Sequence, residues 1–454
     1  MATQTDTSLE SLRQRVEILL KSGDQAPLRK LLETIHPADI ADLLEQLDDE
    51  HRVPIFNLLQ EDSAADVLDE TSDEVTRDII EGVPDERIAD LLEAMPMDDA
   101  AEILSVLEEE RAEDLLDLME PEEAAEVEVL LSYPEDTAGR LMTTEVVHLN
   151  EHWTIERTLE YLRTVDPEVE TLTYLYVING GRQLVGVVPL RKLVTSPTNL
   201  RISEIMEGGI ISVAVDTDQE EVARLVSQYD FTAIPVVDGF KRFVGVITHD
   251  DVVDILQDEF TEDAQKFGGS LPLEESYLSS SIFTVFRKRV GWLMVLFITQ
   301  TLTGTVMRFF ESELQAVVAL TFFIPLMIGT GGNAGSQTTS TITRALGIGD
   351  VHFSDLGRLL WHELGTGLLL GLVMGTLGYI RAITWGHAVP LALTVGFSLF
   401  VLVIWANGIG ALLPSLAAKV GIDPAVISGP VMSTLVDATG LLIYFSLAAL
   451  IIGL

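Results

Sequence analysis

Five apolar runs, each long enough to cross a bilayer, crowd residues 282–454 of this 454-residue chain, at roughly 290–310, 316–341, 359–380, 390–413 and 426–453. A hydrocarbon core takes about 20 apolar residues per helix and tolerates no unpaired backbone, so these runs dictate a helical membrane domain. The breaks hold Glu311 and Glu313, then Arg344 to Arg358, then Arg381 with Gly386 and His387, then Lys419 to Pro424. Basic residues cluster on one side: Arg287-Lys288-Arg289 before the first run, Arg344 and Arg358 around the second loop, and Lys419 in the fourth. Arg308 and Arg381 dissent. The bias predicts an internal N-terminus and an external C-terminus. An odd helix number leaves no internal two-fold, so a symmetric pathway would need two chains.

Charge divides the chain in the same place. Of 28 basic and 71 acidic residues, only 8 and 7 lie after position 281, leaving 20 and 64 before it. Phosphate repels so acidic a half, which argues against nucleic acid; divalent cations are its natural partners. The chain has no cysteine, which excludes disulfides, thiol catalysis, iron–sulfur clusters and Cys-ligated zinc. Residues Met1 to Glu10 carry neither a basic start nor an apolar core. No cleaved signal is expected, and the acidic half should stay in the cytoplasm.

Polar and chain-breaking residues concentrate in two of the runs. The second contains Pro325, Gly329, Gly331, Gly332, Asn333, Gly335 and Gln337. Close packing accounts for the glycines but not for Asn333 or Gln337, and freed backbone is tolerated only beside protein or a watery cavity. No Lys-Ser/Thr follows, so this is not a phosphate loop. Asp423-Pro424 leads into the fifth run, which contains Gly429-Pro430 and, seven residues later, Asp437. An intramembrane carboxylate is costly and normally faces a pathway or a cationic partner, and the basic residues here lie at the run ends. That favours a pathway. His362-Glu363 opens the third run without the second histidine of a zinc motif and reads as an interfacial pair.

Residues 9–135 are helical by period and repeat every 24 residues: Ile40 to Glu45 recurs as Ala64 to Asp69, Ile88 to Glu93 and Ala112 to Asp117. One helix pair per repeat predicts a small superhelix, apolar inside and acidic outside. Residues 141–258 alternate strands and helices and hold a second duplication. Tyr174 to Gly180 followed by Leu184 to Val188 matches Ala233 to Gly239 followed by Phe243 to Ile247, and Leu141-Met142 and Ile205-Met206 open the copies. This resembles a tandem pair of CBS modules, a regulatory fold that often binds adenosine ligands. The resemblance implies a ribose contact at Thr248 and Asp251 in the second copy. The first copy reads Pro189-Leu190-Arg191-Lys192 and departs from the pattern, leaving ATP at the second module only.

Beyond the second module come Asp254, Asp258, Glu259, Glu262 and Asp263 at helical spacing, then Gly268-Gly269 and a serine-rich stretch at 279–281. A solvated acidic helix, or general acidity like a halophile's, is the plain alternative. Two carboxylates about 4 Å apart repel by roughly 1 kcal/mol in water and about 4 kcal/mol at an effective dielectric of 20. Facing acidic surfaces therefore separate unless divalent ions bridge them.

Taken in order, these parts resemble the MgtE-type magnesium transporters over nearly the whole chain. The expected fold is multidomain: an all-α N domain over 1–135, α/β CBS modules at about 136–200 and 201–258, an acidic connecting helix and linker over 259–281, and five membrane helices over 282–454. The resemblance implies a homodimer in the cell's inner (plasma) membrane whose pore lies between chains. It places the permeating Mg²⁺ at Asp437 and a pore shaped by Pro325, Gly329, Gly331, Gly332, Asn333, Gly335, Gln337 and Pro430. Sensor acids fall on Asp218, Glu220, Asp230, Asp251 and Asp254, with Glu259, Glu262 and Asp263 on the "plug" helix. Asp66, Asp98 and Glu102 match more loosely in the N domain. Gly429 departs, since relatives often carry Asn there.

The function expected is a channel-like Mg²⁺ uptake pathway driven by the electrochemical gradient and shut by cytosolic Mg²⁺. The alternatives are a membrane-anchored Mg²⁺ sensor without transport, or a pathway for Co²⁺ or Mn²⁺. No nucleophile–base set points to an enzyme.

Overall fold

The computed structural model describes residues 2–22, 25–165, 171–273, 277 and 280–453, in two units, Met1–Asp258 and Glu259–Leu454. Linker residues 274–276 and 278–279, part of the expected connecting segment, lie outside the described residues.

The first unit begins with α1 (Ala2–Ser22) and α2 (Gln25–Leu32). The repeats follow as α3 (Pro37–Glu45), α4 (Asp49–Phe56), α5 (Glu61–Asp69), α6 (Asp73–Gly82), α7 (Asp85–Glu93), α8 (Met97–Ser105), α9 (Glu109–Leu116) and α10 (Pro121–Leu131). One helix and turn occupy about twelve residues, so each 24-residue step is a helix pair, as the repeat predicted. Ile40, Leu43 and Leu44 are buried on α3, and Ile88, Leu91 and Leu92 on α7, the i, i+3, i+4 stripe of a core-facing helix. Acidic pairs open the helices, Glu61 and Asp62 on α5 and Asp98 and Asp99 on α8, where the dipole favours negative charge. Buried Arg52 pairs with Asp78, and Arg111 grips Asp85 at 2.5 and 2.8 Å. Each pairing joins residues 26 apart, tying one repeat to the next.

Among the described residues, the duplicated region forms two three-stranded sheets. The elements are β1 (His148–Asn150), α11 (Ile155–Leu162), β2 (Tyr174–Ile178), β3 (Leu184–Pro189), α12 (Leu190–Thr195) and α13 (Ile202–Ile205). The second copy has β4 (Val213–Ala214), α14 (Gln219–Tyr229), β5 (Ala233–Val237) and β6 (Phe243–Thr248). Each sheet pairs its first strand parallel and its last antiparallel, with Val177 opposite Gly186 and Val236 opposite Gly245. The copies exchange their openings. Thr143 bridges Val246 of the second copy, and Glu207 bridges Val187 of the first. Gly245 permits this, because a Cβ there would lie 2.5 Å from the Thr143 carbonyl. From β6 the chain enters α15 (His249–Phe267).

The second unit holds α16 (Ile282–Phe309), α17 (Glu311–Ala316), a 3-10 stretch over Val318–Phe323, α18 (Ile324–Gly347), α19 (Leu356–Thr384), α20 (Val389–Lys419), α21 (Pro424–Ser428) and α22 (Pro430–Ala448). Among the described residues, five segments are long and apolar enough to span a membrane: Ile282–Phe309, Val318–Gly347, Phe353–Thr384, Val389–Lys419 and Val431–Gly453. The first, third and fourth overrun the predicted runs because helices continue through their polar ends, α16 absorbing Arg287 to Arg289, whereas the fifth starts at Val431 rather than 426. Pro325 falls in the first turn of α18 and Pro430 opens α22, positions where the missing N–H costs nothing. α19 and α20 pack through glycine: a Cβ on Gly371 would sit 2.7 Å from the Phe400 carbonyl, and one on Gly375 2.7 Å from the Gly396 carbonyl.

Candidate functional site

In the second unit, α18 turns two distinct faces. Pro325, Gly329, Asn333 and Gln337 recur every four residues, and all four are exposed. Gly331 and Gly335 are buried on the other side, where a Cβ at 331 would lie 2.9 Å from Val436 and one at 335 would strike Met432 of α22. The glycine-rich run predicted to shape a pore is thus divided: its even-spaced polar stripe is open, and Gly331 and Gly335 are packing positions. Asp437 of α22 stands at the border. It is 9% exposed, its Oδ1 lies 3.8 Å from the Cβ position of Gly332, and Gln300 of α16 hydrogen-bonds it. No ion pair among the described residues involves it. The side chain of Pro430 lies outside the described residues.

Expectation and structure part at His362 and Glu363. Exposed His362 suits an interface, but the Glu363 side chain is only 14% exposed and accepts from Thr338 Oγ1 on α18 at 3.4 Å. The pair straddles two environments because α18 and α20 close over one side of α19.

A second acidic grouping lies in the first unit. One oxygen each from Asp98 and Asp99, at the start of α8, and from Asp251, in the first turn of α15, lie within 4.8 Å of one another. The Asp251 carboxylate is fixed by Thr248, whose N–H and Oγ1 donate to it at 3.0 and 2.7 Å. Surrounding protein first, then neighbouring acids, push protons onto this group, although Asp69, Glu102 and Asp254 keep exposed surface. Asp69 is raised to about 7 by burial and by Glu102, Glu70, Asp251 and Asp254. Glu102 is raised by burial and by Asp73, Asp258, Asp251 and Asp254. Asp251 and Asp254 are raised too, burial leading in both. Oxygen-only donors crowded to mutual repulsion suit a hard divalent ion such as Mg²⁺.

The structure thus brings Asp98, Glu102, Asp251 and Asp254 together and adds Asp69 and Asp99, which sequence reasoning missed. Asp66 is elsewhere: its carboxyl is raised by burial and Asp62 and lowered by His36. Asp218 caps α14, accepting from Glu220 N at 2.9 Å, while Asp230 ends the same helix in the left-handed region at φ 52°. Those three therefore stand at opposite ends of α14. The Thr248–Asp251 arrangement expected to hold a ribose is formed, but the same carboxylate belongs to the acidic grouping.

Within the second unit, the end of α15 meets the turn before α21. Lys266 Nζ lies 2.8 Å from Asp423 Oδ2 and also pairs with Glu262. Asp263 is raised by burial, then by Asp423 and Glu259, with Arg344 opposing. A Cβ on Gly429 would collide with the Phe267 carbonyl, so glycine here admits the end of α15.

Residues 35–136 match the MgtE intracellular N domain, residues 138–197 and 202–258 match CBS domains, and residues 324–447 match the MgtE family described as a divalent cation transporter. The chain is 41% identical over 448 residues to the magnesium transporter MgtE of Thermus thermophilus, covering 98% of this chain and 99% of that one. The chain belongs to the MgtE family. Another relative, the Bacillus subtilis magnesium transporter MgtE, is 36% identical over 322 residues, 71% of either chain. Among solved structures, the cytosolic domain of the Mg²⁺ channel MgtE in complex with ATP aligns at TM-score 0.52 and 41% identity, covering 54% of this chain and 99% of that one. The soluble part of a magnesium transporter aligns at TM-score 0.51 and 32% identity, covering 55% and 99%. A helical N-terminal region, a CBS pair and five apolar helices make up this MgtE fold.

Proposed function

We propose that this MgtE-family protein is a homodimeric, channel-like pathway for Mg²⁺ uptake across the plasma membrane, with its N-terminal domains in the cytoplasm and its C-terminus outside. The relatives named as magnesium transporters support the cargo. The observation that carries the pathway is Asp437: a buried carboxylate with no ion pair among the described residues, bordering an exposed polar stripe on α18. Such a stripe in a membrane needs water or a second chain beside it. The domain divisions at 135, 258 and 281 belong to this reading.

Mg²⁺ dehydrates reluctantly, so paired Asp437 carboxylates attract the ion through its water shell, with Asn333 and Gln337 offering polar lining. Entry needs no ATP, because a divalent ion gains about 4.6 kcal/mol per 100 mV of inside-negative potential. Regulation lies in the acids. Mg²⁺ among Asp98, Asp99, Glu102, Asp251 and Asp254, and at Asp218, Glu220, Asp230, Glu259, Glu262 and Asp263, offsets their repulsion and favours a shut state. When cytosolic Mg²⁺ falls, repulsion returns and the α15 plug withdraws. The ion drives closure only by its tighter binding to that state. ATP at Thr248 and Asp251 of the second module is part of the proposal, supported by the ATP complex of the similar cytosolic domain.

The test is dye-reported Mg²⁺ influx into liposomes holding the full-length protein. Wild type should conduct at low internal Mg²⁺ and stop at high; Asp437→Ala should not conduct. Equal flux in both proteins would overturn the pathway, and a bound-Mg²⁺ response without flux would leave a sensor.

A further inference from the structure

A second polar site lies inside the helix bundle, apart from Asp437. Asn407 of α20 is 1% exposed, and neither its Oδ1 nor its Nδ2 has a hydrogen-bond partner among the described residues. Buried amides in native proteins hold a partner, and where the protein supplies none an ion or water does. Its Cβ and Nδ2 each lie 3.2 Å from the Cβ position of Gly367, so the amide is turned to the face of α19 that carries Glu363 one turn earlier. Glu363 Oε2 accepts from Thr338 Oγ1 at 3.4 Å, and Thr338 is itself buried. The Thr338 Cβ lies 3.0 Å from the Cβ position of Gly410, one turn beyond Asn407 on α20. Glycines on α19 and α20 thus draw three helices together where Glu363 meets Thr338 and the unpartnered Asn407 lies within a turn of Gly410 and faces Gly367. The other titratable contact is His362, whose Nδ1 is 3.2 Å from Glu363 Oε1 and whose ring is exposed.

We propose that Glu363, Thr338 and Asn407 form an internal binding site for a monovalent alkali cation. All three offer oxygen. Their single negative charge is balanced by one positive charge, whereas a divalent ion would leave an uncompensated charge in a low-dielectric interior. The site is distinct from Asp437: Thr338 lies six residues, about 9 Å along α18, from the Gly332 that Asp437 faces. The inference stands whether or not the protein conducts Mg²⁺.

The test is thermal unfolding of the full-length protein in nanodiscs without Mg²⁺, titrated with NaCl or KCl against N-methylglucamine chloride at constant ionic strength. Wild type should show a saturable rise of a few degrees with an alkali cation. Glu363→Gln and Asn407→Leu should abolish it, and Asp437→Asn should retain it. Should either of the first two fail to fold, Thr338→Val keeps the test open, with half-saturation weakened about tenfold. An equal response to N-methylglucamine, a rise surviving in Glu363→Gln, or a Glu363-dependent rise produced by MgCl₂ would each overturn the assignment.

Discussion

Lys266 Nζ lies 2.8 Å from Asp423 Oδ2 while also pairing with Glu262, so one ammonium ties the end of α15 to the turn before α21. Beside it Asp263 and Asp423 repel each other. The lysine holds with a fixed charge a junction that acids alone would open.

Lys266→Gln removes that charge. In Mg²⁺-free buffer, limited proteolysis near 266–281 should run up to about fivefold faster than in wild type, the scale of a partly exposed ion pair. The difference should vanish at saturating Mg²⁺. Equal rates without Mg²⁺ would show that the pair contributes nothing to holding α15.

Asp69 and Asp66 share α5 but not surroundings. Asp69→Asn should raise the Mg²⁺ needed for half-maximal protection of the first unit by about fivefold, the loss of about 1 kcal/mol of charge attraction. Asp66→Asn should leave it unchanged. Mg²⁺ titrations of the two full-length variants check this, and the reverse ranking would contradict the placement of Asp69.

The raised carboxyls make Mg²⁺ binding release protons. Titration calorimetry at pH 6, in buffers of different ionisation enthalpy, should show proton release, with Asp69's share falling towards zero above about pH 8. Below the ordinary carboxyl range, near 4, folded and unfolded chains both hold these protons. From there to about 7 only the folded chain keeps the Asp69 proton, so metal-free stability falls as pH rises through that window, the other raised carboxyls acting in the same direction. Melting curves with and without Mg²⁺ should converge at the acid end.

Gly375→Ala places a methyl 2.7 Å from the Gly396 carbonyl and should destabilise the α19–α20 contact by about 1–3 kcal/mol. Gly365→Ala on the same helix meets nothing within 4 Å and should be neutral or stabilising by up to about 1 kcal/mol. Melting temperatures in detergent separate the two.

The sequence by itself determined what is written in local chemistry. Runs of apolar residues force membrane helices, a 24-residue recurrence forces helix pairs, and a doubled strand pattern forces two like sheets, because each signal lies within one segment. Asp437 drew attention for the same reason: a lone acid in an apolar run stands out. Only the tertiary structure decided which of 64 N-terminal acids meet. Asp69 and Asp251 are far apart in the chain, and nothing in the helical grammar of α5 distinguishes Asp69 from Asp66. Packing also divided the glycine-rich run, giving Gly331 and Gly335 to α22 and leaving Asn333 and Gln337 exposed, and it buried Glu363 beside Thr338. Helical period fixes which residues share a face, but the partner of that face is chosen by the energy of the whole assembly.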